Sequence, residues 1–501
     1  MISLPVKRSL ILAGGGMRVA YQAGVIRALN EAGLEFGHAD GTSGGIINLA
    51  MMLSGLSPAE MCDRWRTLDV RQFGAAMPLK NYLKAPHLPA LGGAGGIINH
   101  VFPHLGIDVA KIRSADGMQG TFNVCNYTRK VSEVIPHPLI DLNLLVAGIS
   151  LPIFMPPVAK NGSLYLDSVW IRDANLMEAV RRGAQEIWVV WCIGNTDVYR
   201  AGPFNQYVHM IELSANGALF ADFERINEIN ARILRGEAVG GRTQPIRLHL
   251  VRPDHPLPLD PDFYTGRIDA ATLIDMGYAD AKTYLAAMKP EGLPFEPEVT
   301  HMQNPTLGVA FREVMAGGFA LGETDPAAGA AKGRRDGNLL AMHAAISIQD
   351  IEAFLADPSH PGQINGSIDF PPFGSNLLAK RGVFNLFCPT GDPKLKLMVY
   401  EMAFEHEGKD YYLAGKKEVR QHSFFHLWHD TTTLLTRLHL GVDKSGPVVG
   451  AGILTLGPVD LLKMMWTMHA LNAGSVSRGI GAIANFGRFF TVELWKTYVW
   501  R

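Results

Sequence analysis

The chain has 501 residues, 47% hydrophobic and 19% charged, with 46 Lys and Arg against 47 Asp and Glu for a net charge of −1. This length and apolar content suit large cores and more than one domain, and exclude a disordered or fibrous protein. The balanced charge excludes a nucleic-acid footprint and a strongly cationic membrane-binding face. Cys62, Cys125, Cys192 and Cys388 form neither a CxxC pair nor a dense framework, so reduced thiols are expected and a zinc site is not.

The first residues lack the layout of a signal peptide, and no run of eighteen apolar residues follows. No transmembrane helix is expected, and cytoplasmic residence follows by elimination. From Ser9 to about Cys192 short β-type runs alternate with helical ones. SLILAG reads as a strand. MRVAYQAGVIRALNEAG reads as a helix, with Ala20, Ala23, Gly24 and Ile26 at mixed three- and four-residue spacing and Gly33 just past its end. GHADGTSGG is a turn-rich entry to the apolar helix IINLAMMLSG. TFNVCNYT and EIWVVWCIG are further strands, the second apolar throughout as if buried on both faces. The alternation predicts an α/β fold with a mostly parallel sheet. Two stretches are surface excursions: APHLPALGGAGG (85–96), rich in Pro and Gly, and SLPIFMPPV (150–158), apolar and broken by proline. Each is either a lid or lipid-facing rim, or a plain connector.

The character changes after about residue 290. A Pro-rich linker is expected over 291–307, and a second, β-rich domain over 308–501. NLLAMHAAISI, GQINGSIDF, RGVFNLFC and PVVGAGILTLG read as strands, and KLKLMVYEMAFEHEGKDYYLAGKKEV as a hairpin turning at HEGKD. The apolar, partly helical tail from Pro458 is a packing or dimer face more readily than a membrane surface. No internal repeat relates the two halves.

Two glycine-rich stretches carry the chemistry. In GTSGG, Ser43 lies two residues from Gly41 and from Gly45, a G-x-S-x-G spacing that lets a strand turn sharply into a helix with the serine at the apex. Such a turn exposes the hydroxyl and aims the positive end of the following helix at developing negative charge. A plain structural turn has the same letters. Gly14, Gly15 and Gly16 end the first strand, and their N–H groups could bind a phosphate or the oxyanion of an acyl-transfer intermediate. A dinucleotide fingerprint fails because Val19 stands at the third glycine position, although Asp40 could pass for the ribose-binding acid. A P-loop fails because no GK[ST] follows.

GGGMRVAYQAGVIRAL followed by GTSGG resembles the patatin-like phospholipases over roughly residues 8–290. The third motif of that family is an Asp in D-G-[GA] after a proline-containing apolar segment. Here LPIFMPPVAKNGSLYLDSVWIRDANLMEAV places Asp167 at that position, with Ser168 and Val169 where small residues are usual, and Asp173 six residues on as a rival. The resemblance implies a three-layer α/β/α sandwich and a Ser-Asp dyad without histidine. Ser43 would be the nucleophile, Asp167 the general base, and the N–H groups of Gly14, Gly15, Gly16 and Met17 the oxyanion hole. Arg18 would support the loop, and Asp167 could instead be a capping or salt-bridged carboxylate. A Ser-His-Asp triad through His209 or His249 is the weaker alternative, since neither sits in a recognisable loop motif.

The implied substrate is a lipid acyl ester: a phospholipid, acylglycerol or sterol ester. Transfer of the acyl group to another alcohol, a non-catalytic lipid carrier, and a Rossmann-type oxidoreductase are the competing functions. No metal and no organic cofactor is required. The partners expected are the lipid ester, peripheral contact with a membrane or lipid droplet, and a second copy of the chain, with no nucleic acid. GVFNLF, KLMVYEMAF, GKDYYLAGKKEV and WHDTTTLLTRL together resemble an accessory region of cholesterol-oxidase-like flavoproteins of the GMC group. VVGAGILTLG mimics a flavin fingerprint, but Thr455 occupies the third glycine position, and a strand with a glycine bulge is the better reading. His426, His429 and Asp430 stand close together without a second cluster, as satisfied polar residues would.

Overall fold

The computed structural model describes residues 7–73, 90–259, 268–392, 394–420, 427–473 and 476–498. The chain divides into two units, Met1–Asn304 and Pro305–Arg501. The linker expected over 291–307 is therefore mostly part of the first unit. Phe295, Thr300 and Met302 are buried there, and Leu293 bridges to Leu248. The prolines of this stretch mislead, because its apolar residues have a sheet face to cover.

The apolar run Arg8–Leu12 forms β1 in the middle of the first unit's sheet. It runs parallel to β2 (His38–Thr42) on one side, and β3 (Gln119–Asn126) is parallel to β2 in turn. On the other side, and again parallel, lie β7 (Glu186–Val190) and β8 (Arg247–Val251). The remaining three strands are antiparallel: β4 (Val131–Pro136) and β6 (Ser163–Asp167) pair with β3, and β5 (Val158–Lys160) with β6. The stretch HADGT, read as part of a turn-rich entry, is the short strand that the Ser43 turn calls for before it, and it lies centrally in the sheet. Ladders from both neighbours satisfy its backbone and override its weak β propensity.

Alternation along these strands divides two faces. Ile11, Ile187, Val189, Leu248 and Leu250 pack against Ala215, Leu219, Phe223 and Ile226 of the helix Pro203–Leu234. Trp188 and His249 point the other way and meet Tyr284 of the helix Ala270–Ala287. That helix packs with α1 (Ala20–Glu31) and, beyond α2 (Gly45–Leu53), with α3 (Pro58–Thr67). The result is a three-layer α/β/α sandwich.

The second unit is a closed barrel. β9 (Gly308–Leu321), β10 (Leu339–Ile348), β11 (Pro361–Phe370), β12 (Gly374–Pro389), β13 (Leu395–His406), β14 (Lys409–Arg420), β15 (Thr433–Leu440) and β16 (Val448–Thr455) pair antiparallel in chain order. β16 then pairs back to β9, so none of the eight is left as a bare edge. The HEGKD turn is a two-residue loop in which Glu407 and Gly408 both have positive φ, 49° and 72°, the conformation that matches strand twist. VVGAGILT is β16, and its pairing slips in register beside Leu438 and His439. A short strand, β17 (His469–Leu471), adds to β9. The tail's last helix, Val476–Tyr498, sets Ala482 and Phe486 into the barrel core, while Leu462, Met465 and Trp466 of the helix Pro458–Thr467 stay exposed. All four cysteines are free thiols. No helix among the described residues is long and apolar enough to cross a membrane.

Inward positions of the barrel are filled by Phe311, Met315, Phe384 and Met402, with one charged pair among them. Lys417 Nζ donates to Glu313 Oε1 at 2.9 Å, and the Tyr400 hydroxyl donates to Glu313 Oε2 at 3.1 Å, with both charged side chains almost fully buried. Removing one partner strands the other in a low-dielectric core. Lys417→Ala should therefore lower the unfolding free energy by about 3–5 kcal/mol in denaturant titration, and the double change Lys417→Met with Glu313→Leu should recover most of it.

Candidate active site

β2 ends at Thr42 and α2 begins at Gly45, leaving Ser43 and Gly44 to make the turn. Ser43 has φ 52°, a left-handed conformation that a non-glycine residue adopts only where its surroundings hold it there. The close approach of strand and helix explains the flanking glycines. A Cβ on Gly45 would overlap the Leu12 carbonyl, and one on Gly41 would lie 3.0 Å from the Gly45 carbonyl oxygen.

Asp167 reaches the serine through β3. Along β3, Thr42 stands opposite Asn123 and Asp167 opposite Val124, at consecutive positions. β2 runs parallel to β3 and β6 antiparallel, so their C-terminal ends meet head to head. The Asp167 carboxyl is buried and accepts the Val169 N–H on Oδ1 at 2.9 Å; with the Ser43 hydroxyl nearby, its Oδ2 makes no hydrogen bond of full geometry among the described residues. Burial lifts its pKa to about 7, against the pull of the Ser43 hydroxyl and the Val169 N–H. The unusual Ser168 and Val169 fit here. The Ser168 hydroxyl pairs with that of Ser132 on β4 at 2.7 Å, and Val169 is buried.

The glycine loop is held from three directions. Asp173 accepts the Gly14 N–H on Oδ1 at 2.9 Å and Oδ2 at 3.1 Å. Gln22 Nε2 donates to the Ala13 carbonyl at 2.6 Å, and Asn48 Nδ2 donates to Gln22 Oε1 and is itself set by Trp65 Nε1 on its oxygen. Arg18 donates to the Gly15 carbonyl through its backbone N–H at 3.1 Å and through Nε at 3.0 Å. The N–H groups of Gly15 and Gly16 make no hydrogen bond among the described residues, and Met17 follows them, buried, in the 3₁₀ turn Gly16–Val19. Gly14 is the correction. Its N–H is bound to Asp173 and cannot also face an oxyanion.

Asp40, the expected ribose acid of the dinucleotide reading, is sealed inside the sheet. It accepts Thr121 Oγ1 at 2.5 Å and Asn123 Nδ2, and burial pushes its pKa up to about 8. Asn123 also bonds the Thr42 hydroxyl and receives Asn175 Nδ2, which braces the floor of the turn. His209 has both ring nitrogens engaged, by the Arg200 N–H and Glu212, and His249 stacks on Trp188 and bonds the Tyr284 hydroxyl. No described histidine hydrogen-bonds to Ser43 or Asp167. His426 lies outside the described residues, His429 is exposed beside Asp430, and no group of three or more potential metal ligands occurs among the described residues.

The apolar segment 150–158 borders the site. The Ser150 carbonyl accepts the Asp167 N–H at 3.1 Å, and the Tyr207 hydroxyl donates to the Pro152 carbonyl at 2.8 Å. Tyr207 packs edge-on against Phe154 and Trp170, with Ile153 and Phe154 exposed. Of the loop 85–96, residues 85–89 lie outside the described residues. Leu91 and Gly92 donate to the Ile153 and Phe154 carbonyls.

Residues 10–180 match the family model of the patatin-like phospholipases. This segment is a patatin-like domain. The likeness covers this segment alone. No curated protein matches. Among solved structures, VipD from Legionella pneumophila is 12% identical with a TM-score of 0.29, covering 57% of this chain and 68% of its own. Full-length ExoU, in complex with SpcU from the type III secretion system of Pseudomonas aeruginosa, is 14% identical with a TM-score of 0.21, covering 59% and 76%. Similarity this low bears on nothing further here.

Gln22, Asn48, Asn123 and Tyr207 were invisible as site residues in the sequence, because nothing in their spacing ties them to Ser43. The tight turn of the patatin-like domain is testable. Gly45→Ala drives a methyl group into the Leu12 carbonyl and should lower stability by about 1–3 kcal/mol, measured as a drop in thermal midpoint.

Proposed function

We propose that the patatin-like domain hydrolyses lipid acyl esters through Ser43 and Asp167. The observation that carries this is the meeting of a strained serine turn and a buried, half-satisfied carboxyl at consecutive positions along β3. Ser43 Oγ attacks the ester carbonyl carbon and its proton passes to Asp167 Oδ2. The oxyanion takes the N–H groups of Gly15 and Gly16, with Met17 next in the turn and the N-terminus of α2 adding positive potential. Collapse expels the alcohol, which leaves with the proton from Asp167, and an acyl-Ser43 remains. Water then attacks that ester by the same proton route. A carboxyl lifted to about 7 is a far stronger base than one near the ordinary value of about 4, which compensates for the missing histidine. Ile153, Phe154 and Trp170 offer apolar surface for an acyl chain. They leave the alcohol portion open among phospholipid, acylglycerol and sterol esters.

Hydrolysis of p-nitrophenyl esters of graded chain length is the direct test. Activity should rise with chain length, and Ser43→Ala and Asp167→Asn should each lower kcat by roughly 10³-fold or more. Full activity in Ser43→Ala would overturn the assignment.

The base must be unprotonated to act. kcat/KM should therefore fall as pH drops below about 7, not below about 4 as for an ordinary carboxylate. The apparent value belongs to Asp167 together with its neighbour Asp173, whose pKa burial and the Asp167 charge raise to about 8. A plateau extending down to pH 5 would exclude Asp167 as the base.

A further inference from the structure

Asp173 makes no hydrogen bond to Ser43 among the described residues. Both of its oxygens go to one backbone group, the Gly14 N–H, at 2.9 and 3.1 Å. The contact is close on every side. A Cβ on Gly14 would overlap Asp173 Oδ1 and stand 2.9 Å from the Ser43 Cβ, so Gly14 passes close to both side chains.

The peptide planes of the loop show what this contact does. A peptide unit is planar, so fixing its C=O and its N–H fixes its orientation. The Ala13–Gly14 unit is held at both ends, its carbonyl by Gln22 and its N–H by Asp173. The Gly15–Gly16 unit is held by its carbonyl, which accepts twice from Arg18. Its N–H therefore points away from Arg18, and like the Gly15 N–H it makes no hydrogen bond among the described residues. Glycines have little steric preference of their own, so these planes would swing if either restraint were lost. Asp173 is the restraint on the side of Ser43.

We propose that Asp173 is a positioning residue that clamps the Gly14 amide and so keeps the Gly15 and Gly16 N–H groups in register with Ser43, an assignment that rests on Ser43 being the nucleophile. The clamp needs an accepting oxygen, not a negative charge. Burial, reinforced by the charge of Asp167, raises the Asp173 pKa to about 8, against the Gly14 N–H and Arg18, and the neutral acid still presents an acceptor. An asparagine oxygen can do the same, whereas alanine or the similarly shaped leucine cannot.

The test uses the full-length protein with p-nitrophenyl butyrate, comparing wild type with Asp173→Asn, Asp173→Ala, Asp173→Leu and Ser43→Ala. Loss of the clamp should lower kcat by roughly 100-fold in the Ala and Leu variants with KM unchanged, because a displaced oxyanion donor acts on the transition state. Asp173→Asn should stay within roughly fivefold of wild type, as expected when a hydrogen-bond acceptor is kept. An Asn variant as impaired as the Ala variant would overturn the proposal, since the acid group itself would then be required. Undiminished kcat in both the Ala and Leu variants, or a rise in KM alone, would overturn it too.

Amide hydrogen exchange at Gly14 gives a second readout that does not pass through activity. The amide should be protected in wild type and Asp173→Asn and exposed in Asp173→Leu, and unchanged protection in the Leu variant would overturn the clamp. Wild-type turnover in Ser43→Ala would instead overturn the nucleophile, while the exchange at Gly14 still decides whether the clamp exists.

Discussion

One strand sets the distance between the two candidate catalytic groups. β3 carries β2 beside its first part and β6 beside its last, and the two neighbours end against each other with Thr42 opposite Asn123 and Asp167 opposite Val124. A ladder of backbone hydrogen bonds is rigid on the scale of ångströms, so placing two side chains at consecutive ladder positions prescribes their approach without any loop having to find it. The turn at Ser43, the glycines around it and the depth of Asp167 all follow from that junction.

Burial then sets the chemistry. Asp40, Asp167 and Asp173 are three buried carboxyls within one small region, and each is pushed above the ordinary carboxylate range chiefly by desolvation. They differ in their partners. Asp40 is bonded to Thr121 and Asn123, Asp173 is turned wholly onto the Gly14 amide, and Asp167 keeps one oxygen without a partner of full geometry among the described residues. Equal burial with unequal satisfaction distinguishes the brace Asp40 from the proposed clamp Asp173 and the proposed base Asp167.

The barrel of the second unit uses the same physics for stability. Alternation puts Glu313 and Lys417 at inward positions, where each would be untenable alone, and the ion pair with Tyr400 makes them compatible with an otherwise apolar interior. Closure through β9 and β16 removes the edges that a sheet of eight long strands would otherwise expose.

Much was legible from local pattern. Short β-type runs located β1, β3 and β7, HEGKD marked a hairpin, and G-x-S-x-G singled out Ser43, because each depends on residue pattern within a few positions. Tertiary structure decided what no spacing encodes. β2 is central because β1 and β3 both pair with it, and residues 293–302 belong to the first core because a sheet face lay open to them. Gly14 and Asp173 bond each other although they lie 159 residues apart. The sequence by itself determined which residues could do the chemistry, through residue type and local turn geometry. What Asp167 and Asp173 each bond, and which glycine N–H groups lack a partner among the described residues, was decided by strand register and burial, quantities that exist only once distant segments have packed together.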